Sequence, residues 1–328
     1  MKKNILKKLF VKIIKSLGYE IIDQSEFRSP SLNKDLNEKL SNINKSIILP
    51  LGEVKLTRKI SSLLIIFRTN SNIEIWDQNK KRIFEKSKIE YVKRSLNSLI
   101  KAIKKLKENY NSINITIKVV DDNSTKENLA HIKTILDNSR ENYEIINHNH
   151  SEHKNIIKEQ KTKDTFSNLS SLLKCFELGK NAGEDIIYFI EDDYLHFTSS
   201  LEEMIGTYER IASQLKKDLI VCPADYPYLY MNNEKTNLLI GSKRHWRTIN
   251  KSLCSFMTSK NILNQYWDNF YQNCLDRHDP FEKYLNLIYE KEICISPVKS
   301  LSIHMTNINS SYGLSPFINY KSLWEENE

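Results

Sequence analysis

The feature that most constrains this 328-residue chain is a repeated alternation of short apolar runs and longer helical stripes across residues 61–215. Four runs have the length and composition of buried strands, and each is followed by apolar residues at helical spacing. They occupy residues 62–68, 115–120, 143–146 and 185–190. Strand followed by helix, repeated in this way, predicts an α/β fold: a Rossmann-type, mostly parallel sheet flanked by helices.

Acidic residues follow the fourth of these strands. Glu191, Asp192 and Asp193 come directly after it, and the carboxyl ends of parallel strands are where ligands bind. Glu191 and Asp193 point the same way on an extended chain, and three adjacent carboxylates repel one another. We therefore expect them to hold a divalent metal, Mn²⁺ or Mg²⁺, that also contacts a diphosphate. The alternative is a solvated acidic turn.

Two further carboxylates, Asp121 and Asp122, end the second strand. Acidic residues at strand ends accept hydrogen bonds from the base or ribose of a nucleotide. The alternative is ordinary turn chemistry, with Ser124 or Thr125 as the N-cap of the next helix. These residues alone do not decide between the two interpretations.

The net charge of +8 is concentrated at the N-terminus. Residues 1–20 carry six lysines and one glutamate, so the rest of the chain is nearly neutral and nucleic acid is not an expected partner. Apolar residues at helical spacing alternate with those lysines at Leu6, Leu9, Phe10, Ile13, Ile14 and Leu17. This pattern predicts a basic amphipathic helix, either on an anionic membrane surface or packed on its own domain.

The remaining composition favours a cytoplasmic enzyme, peripheral to the inner membrane face if the N-terminal helix binds lipid. The longest apolar run, residues 63–67, is far too short to span a bilayer. The cysteines are five in number and lack C-x-x-C spacing, which argues against a disulfide framework or a zinc finger. Cys175, Cys222, Cys254 and Cys294 lie in apolar surroundings and are predicted core residues.

Four segments in this order resemble a GT-A-fold glycosyltransferase of family 2, over about residues 61–215. They are IIFRT at 65–69, RSLNSL at 94–99, VVDDNST at 119–125 and FIEDD at 189–193. The resemblance implies a nucleotide-sugar site containing Arg68, Thr69, Asp121, Asp122 and Asp192, with Asp122 contacting the nucleotide. It also implies that the acidic triplet stands for the family's D-x-D metal motif.

This chain departs from the family pattern at two places. The first acidic position is Glu191, so we expect Asp193 to be the preferred metal ligand and Glu191 the second choice. An insertion at about residues 71–89, containing Trp76, separates the first strand from its helix. The resemblance further implies that His304, a late histidine, reaches the metal or diphosphate; a structural role for it is the alternative.

Candidate acceptor-side residues lie after residue 218. Asp279 precedes a predicted helix at 280–289, where Pro280 suits the first helical position and Asp279 suits the N-cap. The resemblance instead implies a general base that takes the acceptor's proton, at Asp279 or else Asp276, with Asp225 in reserve.

Two further clusters are polar. Arg244, Trp246 and Arg247 lie within seven residues, and they are predicted to bind a donor or acceptor phosphate and to stack on a sugar or base; a basic surface loop is the alternative. His148, His150 and His153 have no standard metal-site spacing, so we predict a solvated loop there.

The sequence therefore predicts an N-terminal extension (1–60), a nucleotide-sugar-binding half (61–218) and an acceptor-binding half (219–328). The resemblance implies an inverting, metal-dependent glycosyltransferase of cell-surface polysaccharide synthesis. Its donor would be a UDP-, GDP- or dTDP-sugar, and its acceptor a glycan or a lipid-linked molecule. The alternatives are a sugar nucleotidyltransferase, disfavoured because residues 61–70 contain no glycine, and a non-catalytic membrane- or nucleic-acid-binding protein.

Overall fold

The chain forms two compact units, Met1–Lys55 and Leu56–Glu328, in a computed structural model. Much of the insertion, including Trp76, lies outside the described residues. The described residues are 2–19, 41–42, 45–48, 52–72, 82–158, 163–231, 236–305 and 310–328.

The first unit contains the predicted basic helix, α1 (Lys2–Ser16). Three short antiparallel strands follow: β1 (Ser41–Asn42), β2 (Lys45–Ile48) and β3 (Gly52–Lys55). Four apolar side chains at the C-terminal end of the α1 segment are 50–63% exposed, namely Leu9, Phe10, Ile13 and Leu17. No helix in the described part of the chain has both the length and the apolar character needed to cross a membrane. Membrane contact through α1 stays a prediction.

The second unit begins with the predicted alternation of strands and helices. All four predicted strands are confirmed, and each ends one residue beyond its predicted end. The elements are β4 (Ser62–Thr69), α2 (Lys88–Asn109), β5 (Asn114–Asp121), α3 (Lys126–Asp137), β6 (Asn142–Asn147), α4 (Lys163–Lys180) and β7 (Ile186–Glu191).

Shorter elements make up the rest of this unit. They are β8 (Tyr194–His196), α5 (Ser200–Leu215), β9 (Ile220–Val221), β10 (Leu238–Ile240), β11 (His245–Thr248), β12 (Phe256–Ser259), α6 (Lys260–Gln265), α7 (Trp267–Asn273), α8 (Lys283–Tyr289), β13 (Cys294–Pro297), β14 (Ser302–His304) and α9 (Tyr320–Glu325).

Nine of these strands form one sheet, in the order β10-β11-β13-β9-β12-β7-β4-β5-β6. Strands β7, β4, β5 and β6 are parallel neighbours. In this sheet β11 and β12 are antiparallel to the other seven strands. The predicted mostly parallel α/β sheet is therefore confirmed, and residues after 218 extend that same sheet.

The central strand β4 is buried on both faces. Leu63, Ile65 and Phe67 pack into the core beneath α2, whereas Leu64 and Ile66 pack into the core beneath α4. All five side chains are at most 1% exposed, and burying each contributes roughly 1.5–3 kcal/mol. Such a strand holds the sheet rigidly, so the residues at its carboxyl end have fixed positions. The predicted core cysteines are also buried, as is Cys274.

Candidate functional site

The carboxyl ends of β4, β5 and β7 meet at one edge, as the parallel arrangement predicts. In the sheet register, Arg68 lies beside Glu191 and Thr69 lies beside Asp121. The Asp122 backbone N–H donates to the Thr69 carbonyl (2.8 Å), and the Thr69 hydroxyl donates to Asp192 (2.9 Å). The nucleotide-sugar residues named from sequence are thus brought together.

Each carboxylate of the acidic triplet is paired with its own basic side chain. Arg68 pairs with Glu191 at 2.5 Å, Lys88 with Asp192 at 2.5 Å, and His304 with Asp193 at 3.2 Å. Repulsion among the three carboxylates was the sequence argument for a bound metal. Because side-chain cations already offset that repulsion, it no longer requires one, and a metal has to be argued from the individual residues.

His304 is positioned by the small antiparallel sheet of β8 and β14, which places it opposite Tyr194. Its ring stacks on Tyr194 with centroids 4.8 Å apart, and its Nδ1 donates to the Tyr312 carbonyl at 2.9 Å. Nε2 therefore faces Asp193. Burial lowers the pKa of His304, but Asp193 and Glu191 raise it more, and the net pKa lies above its usual value.

Asp193 has one carboxylate oxygen available for a ligand. Its Oδ1 is buried and has no hydrogen-bond partner among the described residues, while Oδ2 faces His304. Burial raises the pKa of Asp193, but His304, Lys88 and Arg68 lower it further, so the net pKa is well below the usual range. Asp193 is consequently ionised at neutral pH.

Asp193 and His304 fit two positions of a divalent cation's coordination sphere. A metal-bound histidine commonly donates its other ring N–H to a carbonyl, as His304 does to Tyr312. Glu191 fits less well, because Arg68 holds it. No group of three His, Cys, Asp or Glu side chains suited to a metal occurs in the described segments. Phosphate oxygens and water would have to supply the other ligands, as they often do for Mg²⁺.

A cavity of about 480 Å³ lies at the ends of β5 and β6. Asp121 lines it, and the Oδ1 of this 2%-exposed side chain is buried without a partner in the described part of the chain. Burial raises the pKa of Asp121, although the Ser124 hydrogen bonds oppose that shift. Thr125 is the N-cap of α3, as one of the sequence interpretations predicted. The other lining residues are Asn123, Ser124, Leu129, Asn147, His148, Asn149 and His150.

The histidines beside this cavity do not form the solvated loop that we predicted. His150 Nε2 contacts Asp122, whose other oxygen accepts from the Ser167 hydroxyl. Asp122 thus holds the His150 ring beside the cavity. The prediction failed because spacing along the chain does not show that α4, which carries Ser167, packs against this loop.

His148 and His153 belong to a second buried network. Glu177 accepts from His153 Nε2 at 3.1 Å, so in a neutral ring the His153 Nδ1 accepts from the Ser170 hydroxyl, 2.9 Å away. Ser170 then accepts from His148 Nε2 at 2.7 Å. Burial lowers the pKa of His148 to about 4, so its ring is neutral at pH 7. The His148 Nδ1, buried and unpartnered among the described residues, is left as an acceptor.

Trp246 and Arg247 are structural residues, which corrects their predicted roles. Trp246 is fully buried beneath α5, and its indole N–H donates to Glu203 at 3.0 Å, so it cannot stack on a sugar. Arg247 pairs with the buried Asp225, which removes both from the candidate phosphate ligands and general bases. Arg244 donates to the Lys299 carbonyl at 2.8 Å.

Asp279 does not cap α8, contrary to the prediction. The helix begins at Lys283, and its first turn is fixed from α7, because the Tyr284 N–H donates to Asn273 Oδ1 at 3.2 Å. Asp279 itself is exposed and Asp276 is half-buried. Glu282, next to α8, was not among the predicted bases. Burial raises the pKa of the Cys254 thiol, and Glu282 and then Glu191 raise it further, so both carboxylates lie within electrostatic range of one thiol.

Lys88 is the other residue that the sequence analysis missed. It is the first residue of α2 and falls within the insertion between β4 and its helix, where many lysines occur. Nothing in that composition distinguishes Lys88 from its neighbours. Only the fold shows that its ammonium group reaches Asp192.

The chain matches no protein-family model and no curated protein. Among solved structures it is similar to S. aureus TarS residues 1–349, with a TM-score of 0.42 and 11% identity over 74% of this chain and 59% of that one. The glycosyltransferase GlyE of Streptococcus pneumoniae TIGR4 gives a TM-score of 0.40 and 10% identity over 80% and 60%. The chain thus spans about three fifths of the length of each.

A UDP-glucose pyrophosphorylase solved with UDP-glucose is also similar, with a TM-score of 0.36 and 9% identity over 75% of this chain and 93% of that one. TarS has been solved with UDP, and the mannosyltransferase PcManGT of Pyrobaculum calidifontis with GDP-Man and Mn²⁺. All of these TM-scores lie below 0.5, and the reaction has to be argued from the residues of the site.

Proposed function

We propose that this protein is a glycosyltransferase that moves a sugar from a nucleotide-sugar donor to a glycan or lipid-linked acceptor. The observation that carries the proposal is the arrangement at one edge of the sheet. A cavity without lysine or arginine in its described lining adjoins a group of paired carboxylates and cations. The cavity suits a nucleoside, and the group of carboxylates and cations suits a diphosphate, so a sugar nucleotide matches both.

The donor's nucleoside would occupy the cavity beside Asp121. The unpartnered Asp121 Oδ1 and His148 Nδ1 are acceptors for donors on the base or ribose. Asp122 would position His150 at the cavity wall. Family-2 membership, which the early motifs suggest, is part of this proposal.

Asp193 and His304 would hold the divalent metal, and Glu191 is the further candidate ligand. When bound, Mn²⁺ or Mg²⁺ would neutralise charge on the departing nucleoside diphosphate. The protein's own contribution is to keep Asp193 ionised and to fix the His304 ring through Tyr194 and Tyr312. These contacts set the position of the diphosphate before reaction.

Inversion requires one carboxylate to take the acceptor hydroxyl's proton as the oxygen attacks the anomeric carbon. The bond from that carbon to the diphosphate oxygen breaks, and the electron pair leaves with the nucleoside diphosphate. Asp279 and Asp276 remain the proposed bases. Residues 219–328 would select the acceptor, and α1 would place the enzyme at an anionic membrane.

The experiment is release of nucleoside diphosphate from UDP-, GDP- and dTDP-sugars, with and without Mn²⁺. We expect one base class to be turned over with metal, and Asp193→Asn to remove that activity while the melting temperature changes little. Asp137→Asn, on the exposed end of α3, is the matched control. Full turnover by Asp193→Asn would contradict the site. Conversion of a nucleotide sugar and added pyrophosphate into a nucleoside triphosphate and a sugar 1-phosphate would indicate a nucleotidyltransferase instead.

A further inference from the structure

We propose that Lys88 binds the diphosphate of the donor directly, so that a side-chain cation shares in neutralising the leaving group. This inference rests on the proposed function, and it names a donor-binding residue that lies outside the motifs. The chemical group that Lys88 would recognise is a nucleoside diphosphate.

The position of Lys88 is the first argument. It opens α2, and its Nζ lies 2.5 Å from Asp192 Oδ1. The other oxygen of Asp192 accepts from the Thr69 hydroxyl at 2.9 Å and the Asn70 N–H at 3.1 Å. One oxygen of Asp192 is thus hydrogen-bonded to the edge of the sheet, and the other oxygen pairs with Lys88. The ammonium group is therefore fixed beside the strand ends, where the diphosphate is expected.

Lys88 also has N–H donors that are available to a ligand. An ammonium group has three N–H donors, and Asp192 is its one recorded partner among the described side chains and backbone groups. Arg68, the neighbouring cation, is more fully engaged: besides Glu191 it contacts Asn168 and Ser171. Lys88 is consequently the cation with capacity for phosphate oxygens.

The exposure of Lys88 also favours this role. Lys88 is 17% exposed at its side chain, which leaves it open to a ligand. A cation on Asp192 also makes that carboxylate a poor metal ligand.

In the proposed reaction Lys88 keeps one N–H on Asp192 and donates the others to diphosphate oxygens. No proton is transferred. As the bond between the anomeric carbon and the diphosphate oxygen breaks, the negative charge that develops there is stabilised by charge-assisted hydrogen bonds from the ammonium group.

The test is calorimetric titration of UDP, GDP, CDP and dTDP, and of the matching monophosphates, with Mn²⁺ and with EDTA. For Lys88→Met we expect affinity for the tightest diphosphate to fall about 10- to 100-fold, in both conditions, and affinity for its monophosphate to fall much less. Lys93→Met is the matched control, because Lys93 lies on the same helix and pairs with Glu90 at 2.8 Å.

Unchanged diphosphate affinity in Lys88→Met, or an equal loss for both nucleotides, would overturn the inference, since the latter indicates a structural ion pair. If that variant does not fold, Lys88→Gln keeps a hydrogen bond to Asp192 without the charge and should show the same selective loss. Failure of the wild type to bind any diphosphate would refute the proposed function itself, and with it this inference.

Discussion

Replacing His196 with glutamine should make the protein less sensitive to acid. His196 lies in β8, the strand that pairs with β14 and so positions His304. Its ring is 1% exposed and lies 2.7 Å from the Tyr188 hydroxyl, and its Nδ1 has no partner among the described residues. Burial lowers its pKa to about 3, which the Tyr194 backbone only partly opposes.

The size of the effect follows from that pKa. The unfolded chain binds a proton at His196 below about pH 6.5, whereas the folded protein does so only near pH 3. The free energy of unfolding is therefore unaffected by His196 above pH 6.5 and decreases as the pH falls toward 3. Each pH unit in that window lowers it by about 1.4 kcal/mol, so at pH 5 His196 lowers the free energy of unfolding by about 2 kcal/mol.

The assay is urea unfolding of the wild type and His196→Gln at pH 7.5 and pH 5.0. We expect the free energy of unfolding to fall about 2 kcal/mol more in the wild type than in the variant between these two values. The buried His148 contributes equally in both proteins and cancels. His131→Gln, on the exposed surface of α3, should behave as the wild type does. An equal loss in wild type and His196→Gln would refute the reasoning.

Two further substitutions test the structural role of the 244–247 cluster. Trp246→Phe removes the hydrogen bond to Glu203 and should lower the free energy of unfolding by about 1–3 kcal/mol in urea, with nucleotide affinity unchanged; lost sugar binding at full stability would instead support stacking. Arg247→Met leaves the buried Asp225 without its cation and should cost about 3–5 kcal/mol in the same assay. Adding Asp225→Asn should recover part of that loss, and a purely additive double variant would contradict the pairing.

Much of the fold was predictable because it is encoded in local periodicity. The run at 62–68 is apolar on both faces and could only be a buried strand, and its neighbours followed the same pattern. Once the strands were parallel, the positions of Asp121, Asp122 and Asp193 at one edge followed from topology alone.

The partners of these carboxylates were not predictable, because they come from distant segments. Lys88 and His304 lie about 100 residues from the carboxylates that they contact, and no spacing rule connects them. Trp246 was misplaced for a related reason, since an indole in a basic run looks exposed until the strand register turns it inward. The N-cap interpretation of Asp279 failed because the helix that follows its capping pattern begins at Lys283.

The account's central claim is that the carboxyl edge of β4, β5 and β7 binds a sugar nucleotide. A thermal-shift panel of UDP-, GDP- and dTDP-sugars, with and without Mn²⁺, tests it most directly. We predict that one base class raises the melting temperature in a metal-enhanced way, with about 2.7 kcal/mol of stabilisation when the ligand is at 100 times its Kd. The absence of a shift with every sugar nucleotide at millimolar concentration, in both conditions, would contradict the claim.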